Sequence, residues 1–191
     1  VVTSDVDSDV LLMIDSGPIS GTGIVLKSAL DFGMDMQGVA FGPTGRIYVT
    51  SAADNLVYSA PRSLPNGLTK DDLVPIGAGS GLDDPRGITF GPDGHMYVAN
   101  NGTASVFEFD PSGALVGEIG TGPMTSATYL AFACNGNLYV SSPADDAVFV
   151  FDGEGTNINQ IDVAGPGGIA FGPDGNTWIV SDDTGNVLAF D

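Results

Sequence analysis

A chain of 191 residues is long enough for one sizeable core, and its formal charge of -19, from 24 acidic against 5 basic residues, repels nucleic acid and anionic lipid over the whole surface. Apolar residues at 42%, charged residues at only 15% and 28 glycines exclude long surface helices and favour short strands joined by tight turns. No apolar run is long enough for a helical membrane span, and the single cysteine, Cys134, allows no intrachain disulfide and reads as a small buried hydrophobe.

In chain order, the β-rich run Val1-Val2-Thr3-Ser4 comes first, then a polar loop, an alternating strand at Val10–Asp15 and a weaker one over residues 24–30. The tetrad Gly38-Val39-Ala40-Phe41 follows, with the turn Gly42-Pro43-Thr44-Gly45 and strands at 47–50, 56–58 and 73–76. The same order repeats from Gly87-Ile88-Thr89-Phe90 with Gly91-Pro92-Asp93-Gly94, and strands at 96–99, 106–110 and 115–119. It repeats again from Tyr129-Leu130-Ala131-Phe132 with Ala133-Cys134-Asn135-Gly136, and strands at 138–141, 148–152 and 157–161. The last copy is Gly168-Ile169-Ala170-Phe171 with Gly172-Pro173-Asp174-Gly175, and strands at 178–181 and 187–191. Pro presets φ at the second turn position and the closing Gly accepts positive φ, which is hairpin chemistry; the third copy lacks Pro but keeps Asn-Gly.

The tetrads begin at Gly38, Gly87, Tyr129 and Gly168, steps of 49, 42 and 39 residues, the range of propeller blades. Four strands per unit without helical periodicity predict an all-β fold, a β-propeller of four-stranded antiparallel blades, with an irregular β-sandwich as the alternative. Four first, five second, five third and four fourth strands make about 4.5 blades in a single domain over residues 1–191 whose first and last blades are incomplete. Three explanations stand side by side: part of a six-bladed ring, a five-bladed or irregular closure, or incomplete ends that complement each other between subunits as a homo-oligomer or filament.

The string from Gly87 to Phe109, with Gly-Ile-Thr-Phe-Gly-Pro-Asp-Gly, Met-Tyr-Val-Ala-Asn-Asn and Val-Phe-Glu-Phe, resembles an NHL repeat and its gluconolactonase-like relatives. The resemblance implies that the loops before first strands and after second strands surround a central channel, with the Pro-Asp-Gly turns on the opposite face. It also implies a divalent metal held by Glu, Asn and Asp at the channel end of the first strands. Here those positions are Gln37, Arg86, Thr128 and Gly167, a poor set for a hard cation. No catalytic residue is therefore assigned.

The channel mouth is expected to bind ligand through Gln37, Asp83, Asp84, Arg86 and Thr128, Arg86 either gripping an anionic group or pairing with a neighbouring Asp. Asp5, Asp7 and Asp9 have the alternate spacing that can wrap Ca²⁺, although Val10 stands where an EF-hand loop needs its turning Gly. Asp145-Asp146 and Asp182-Asp183 read as turn formers, His95 as an exposed turn residue, and Asn101-Gly102-Thr103 fits an N-glycosylation acceptor. The expected role is an extracellular or periplasmic binding or structural module for a protein, small-molecule or glycan ligand, without nucleic acid or a membrane span. The placement follows from acidity, the absence of an initiator Met and the resemblance, and the rival is a metal-dependent lactonase.

Overall fold

The computed structural model describes residues 2–5, 10–15, 25–31, 34–61 and 69–191. Its strands form five antiparallel sheets in which sequence neighbours pair. The first sheet holds β1 (Val2–Asp5), β2 (Val10–Asp15) and β3 (Val25–Asp31), and the second β4 (Met36–Phe41), β5 (Ile47–Ser51), β6 (Leu56–Ala60) and β7 (Val74–Ile76). The third holds β8 (Pro85–Phe90), β9 (Met96–Asn100), β10 (Ser105–Phe109) and β11 (Leu115–Ile119). The fourth holds β12 (Leu130–Phe132), β13 (Leu138–Ser142), β14 (Ala147–Phe151) and β15 (Asn157–Asp162), and the fifth β16 (Pro166–Phe171), β17 (Thr177–Ser181) and β18 (Asn186–Phe190). This is the predicted strand count, arranged as blades of a β-propeller. Among the described residues no helix is long and apolar enough to cross a membrane.

Each hairpin closes as its turn chemistry requires. In the third blade Gly91 N–H donates to His95 O and Gly94, at φ 83, donates to Gly91 O. Where Pro is missing, Gly136 at φ 88 still closes the same bond, to Ala133 O, because Asn-Gly supplies the left-handed residue. Cys134 is exposed at the tip of this turn, correcting its expected burial; it occupies the position that Pro43, Pro92 and Pro173 hold in the other copies.

The core lies between blades rather than within them. Val57 of the second blade packs with Ile88, Met96, Val98, Phe107 and Phe109 of the third, and Tyr97 and Val106 of the third pack with Leu138, Phe149 and Phe151 of the fourth. Each second-strand Tyr meets the Phe of the next blade edge-on: Tyr48 with Phe90 at 4.9 Å, Tyr97 with Phe132 at 4.8 Å and Tyr139 with Phe171 at 5.0 Å. Such pairs contribute about 0.5–1.5 kcal/mol beyond their buried area. No blade could bury these faces alone, so the stack of repeats, not the single blade, is the folding unit.

Hydroxyl and carboxamide groups fasten neighbouring blades near the axis. Buried Thr50 accepts from Gly38 N–H at 2.8 Å and donates to Arg86 O, while Ser141 donates to Gly167 O at 2.6 Å. After the second strand of the second and fourth blades a left-handed residue aims the chain at the next blade: Asn55 (φ 55) accepts from Asp84 N–H at 2.9 Å, and Asp146 (φ 51) accepts from Gly165 N–H at 2.9 Å. Asp145 accepts from Ser142 Oγ and from Thr125. Burial pushes the Asp145 pKa up, but these bonds outweigh it and hold the group below the ordinary carboxylate range. The Asp145-Asp146 pair is thus committed to the turn and to the join between blades.

Candidate functional site

The ladder bulges at the same place in three blades, between Met36 and Val39, between Pro85 and Ile88, and between Pro166 and Ile169. A bulge frees residues from strict alternation and re-aims their side chains. Of the residues released, Gln37, Arg86 and Gly87 line an open cleft of about 180 Å³, together with Thr128, Tyr129, Pro143 and Asp182. Residues from four consecutive blades therefore converge on one opening.

The structure brings together Gln37, Arg86 and Thr128 as the register of the repeat predicts. Asp84 sits behind them and holds Arg86 through both forks, Nε to Oδ1 at 3.0 Å and Nη2 to Oδ2 at 2.9 Å, so the local Arg–Asp pair is present. Arg86 Nη1 reaches Gln37 Oε1 at 3.5 Å, and Gln37 donates to Asp35. Asp83 is not part of the lining: its carboxylate lies over Gly102, where a Cβ would come within 2.4 Å. Sequence reasoning missed Asp182 and Tyr129 as lining residues. Asp182 belongs to a loop read only as a turn, and its carboxylate folds over Gly167. Tyr129 stands where the other tetrads have Gly and is 47% exposed, a bare ring on the cleft wall.

Asp5 ends β1, but its side chain, with Asp7 and Asp9, lies outside the described residues. Asn101 of the glycosylation pattern is used by the fold: its amide donates to Asp84 Oδ2 at 2.7 Å and its carbonyl accepts from Ala127 N–H at 3.2 Å.

At the other end of β8, past the hairpin turn, a second polar cluster is present. His95 is half-buried rather than a free turn residue: Nδ1 lies 2.6 Å from Glu108 Oε1 and 3.7 Å from Asp93 Oδ2. Tyr97 Oη donates to Asp93 Oδ2 at 2.8 Å. The bond with Glu108 holds the imidazole above its ordinary pKa against the effect of burial, with the carboxylates of Asp93, Glu108 and Asp110 adding to it. Burial, followed by the bond to Asp93, drives the Tyr97 phenol far up, so it remains a donor.

Meandering antiparallel sheets stacked as successive blades, with a polar lining at one end of the first strands, define a β-propeller. Residues 34–144, more than half of the chain, match the SMP-30/Gluconolactonase/LRE-like region, and the chain belongs to that family. The match falls on the gluconolactonase-like side of the resemblance seen in the repeats. None of the curated proteins matches the chain. Virginiamycin B lyase from Staphylococcus aureus superposes with a TM-score of 0.69 at 15% identity, covering 100% of this chain and 68% of that one. A protein of unknown function from Bacteroides caccae gives 0.66 at 14% identity over 100% and 76%, and hydrazine synthase from Kuenenia stuttgartiensis 0.67 at 19% over 92% and 49%. At these identities the likeness is one of fold.

A divalent metal in the cleft, as gluconolactonase-like relatives hold, does not fit the described lining. Asp182 is its one carboxylate, Gln37 and Thr128 are weak neutral donors, and the Arg86 guanidinium stands among them.

Proposed function

We propose that this propeller is a non-catalytic binding module whose axial cleft takes a small polyhydroxylated ligand, a sugar or the end of a glycan. The observation that carries the reading is the lining itself: an exposed aromatic ring, Tyr129, beside Arg86, Gln37, Thr128 and Asp182. A flat ring covers the C–H face of a sugar while fixed polar groups meet its hydroxyls. Arg86 is held in place by Asp84, so its remaining donors are preorganised at little further entropic cost. Because Asp84 also neutralises that cation, and the chain carries -19, a neutral polyol suits the cleft better than a phosphate.

The strongly acidic surface supports an extracellular or periplasmic placement, where it keeps the protein soluble. Self-association is part of the proposal and is supported by the last sheet, in which Trp178, Val180 and Val187 are exposed on one face. Sedimentation velocity of wild type and Val187→Glu checks this: concentration-dependent assembly lost in the variant supports it, and a monomer at all concentrations removes it.

Calorimetry with a panel of hexoses, aldonic acids and short oligosaccharides tests the binding reading. Saturable binding that weakens at least tenfold in Arg86→Ala and in Tyr129→Ala, with unchanged melting, supports it. Binding that both variants retain places the ligand elsewhere. The family membership keeps one rival reading, a metal-dependent lactonase, and the same variants separate the two when ring-opening is followed.

A further inference from the structure

We propose that the Asp93, His95 and Glu108 cluster, at the far end of β8 from the cleft, is a site for a divalent transition-metal ion of the zinc class. Among the described residues it is the one group of three His, Cys, Asp or Glu side chains whose donor atoms lie close enough to share an ion, all within 4.8 Å of one another. Zinc bound by nitrogen and oxygen at about 2.0–2.1 Å sets its tetrahedral ligands about 3.3 Å apart. The separations from His95 Nδ1 are 2.6 Å to Glu108 and 3.7 Å to Asp93, and no pair of the three donors is more than 4.8 Å apart, so rotation of side chains already in place would form three corners. The fourth corner is left to water, because Tyr97 is engaged as a donor to Asp93.

Two features indicate that the fold makes room for this group. The Glu108 carboxylate lies across β11 over Gly117, where a Cβ would fall 2.9 Å from Oε2, so any other residue there would displace it. Asp93 is fixed from both sides, by His95 N–H on Oδ1 at 3.0 Å and by Tyr97 on Oδ2 at 2.8 Å, an outer-shell bond of the type that orients metal ligands. The arrangement is particular to one blade. The positions of His95 and Glu108 carry Arg46 and Ser59 in the second blade, Asn137 and Val150 in the fourth, and Asn176 and Ala189 in the fifth. The repeat therefore does not need them for folding. An imidazole donor selects a transition metal over calcium or magnesium, and two carboxylates neutralise the ion. Binding takes the Nδ1 lone pair, so the imidazole gives up its hydrogen bond to Glu108 and keeps its ring proton on Nε2.

His95 is the sole histidine, so its imidazole protons in an NMR spectrum report this site without competition. The experiment titrates the full chain with zinc chloride at neutral pH, followed by calorimetry and by those resonances. One zinc per chain is expected, with the imidazole signals shifting to a new position, and affinity falling at least tenfold in His95→Gln and in Glu108→Gln. Circular dichroism of the metal-free variants shows that they fold, and an Asp5→Asn, Asp7→Asn, Asp9→Asn variant keeps the affinity. Unmoved imidazole signals, zinc binding that His95→Gln retains, or a preference for calcium would overturn the proposal.

Discussion

Neighbouring blades approach closely at Gly38, and Gly38→Ala tests whether that approach holds the blades together. A Cβ at position 38 would lie 2.5 Å from Arg86 O and 3.2 Å from the Gly87 Cα, both backbone atoms that cannot rotate away. Relieving the overlap pushes the second and third blades apart and stretches the Thr50 to Arg86 bond. Overpacking of this kind costs about 1–3 kcal/mol, and a weakened hydrogen bond adds about 0.5–1.5. The smaller entropy of the unfolded alanine chain offsets about 0.4–1 kcal/mol, leaving a net loss of about 0.5–4. Gly168 is the control: it holds the same place in the fifth blade with nothing within 4 Å of its Cβ position. Gly168→Ala is expected to be neutral or to stabilise by up to about 1 kcal/mol. Equilibrium urea unfolding of both variants, compared at constant m value, measures the difference. Equal midpoints for the two substitutions would refute the close approach and with it the inter-blade geometry of the cleft.

Three further outcomes are expected. Phe151, 1% exposed between the third and fourth blades, loses about 3–5 kcal/mol on truncation to Ala, and a loss under about 1 kcal/mol in urea would put its ring at the surface. Thr50→Val strands the Gly38 N–H and costs about 1–3 kcal/mol, whereas Thr50→Ser keeps the hydroxyl and recovers most of it by the same measurement. The His95 pKa is raised in the folded chain, so its contribution is fully present below the ordinary histidine value and is lost as pH rises through the folded value. In the presence of chelator the melting difference between wild type and His95→Gln should therefore be largest in mild acid and vanish at alkaline pH, and a difference that grows with pH would contradict the Glu108 bond.

The propeller was legible because turn chemistry repeats with the strands. Pro and Gly at fixed offsets mark each hairpin, and the tetrads set blade length, so strand number and order follow from the residues alone. Gln37, Arg86 and Thr128 were legible for the same reason, since one repeat position lines the cleft in three successive blades. Asp182 was not, because its place in the lining depends on how four blades converge and not on its own repeat. Tyr129 did carry a signal, an aromatic residue in the one tetrad that lacks glycine. His95 and Glu108 are thirteen residues apart, and only the pairing of Tyr97 with Glu108 across β9 and β10 reveals that they meet. Cys134 was misread by residue type, although its alignment with three turn prolines marked it as exposed.

The central claim, that the cleft binds a polyol without turning it over, is tested most directly by NMR on the full chain mixed with sugar lactones and their ring-opened acids, with and without added divalent metal. Saturation transfer to the ligand that disappears in Arg86→Ala, while lactone opens no faster than in buffer, is the predicted result. Metal-dependent ring opening abolished by the same substitution would contradict it and make the cleft an active site.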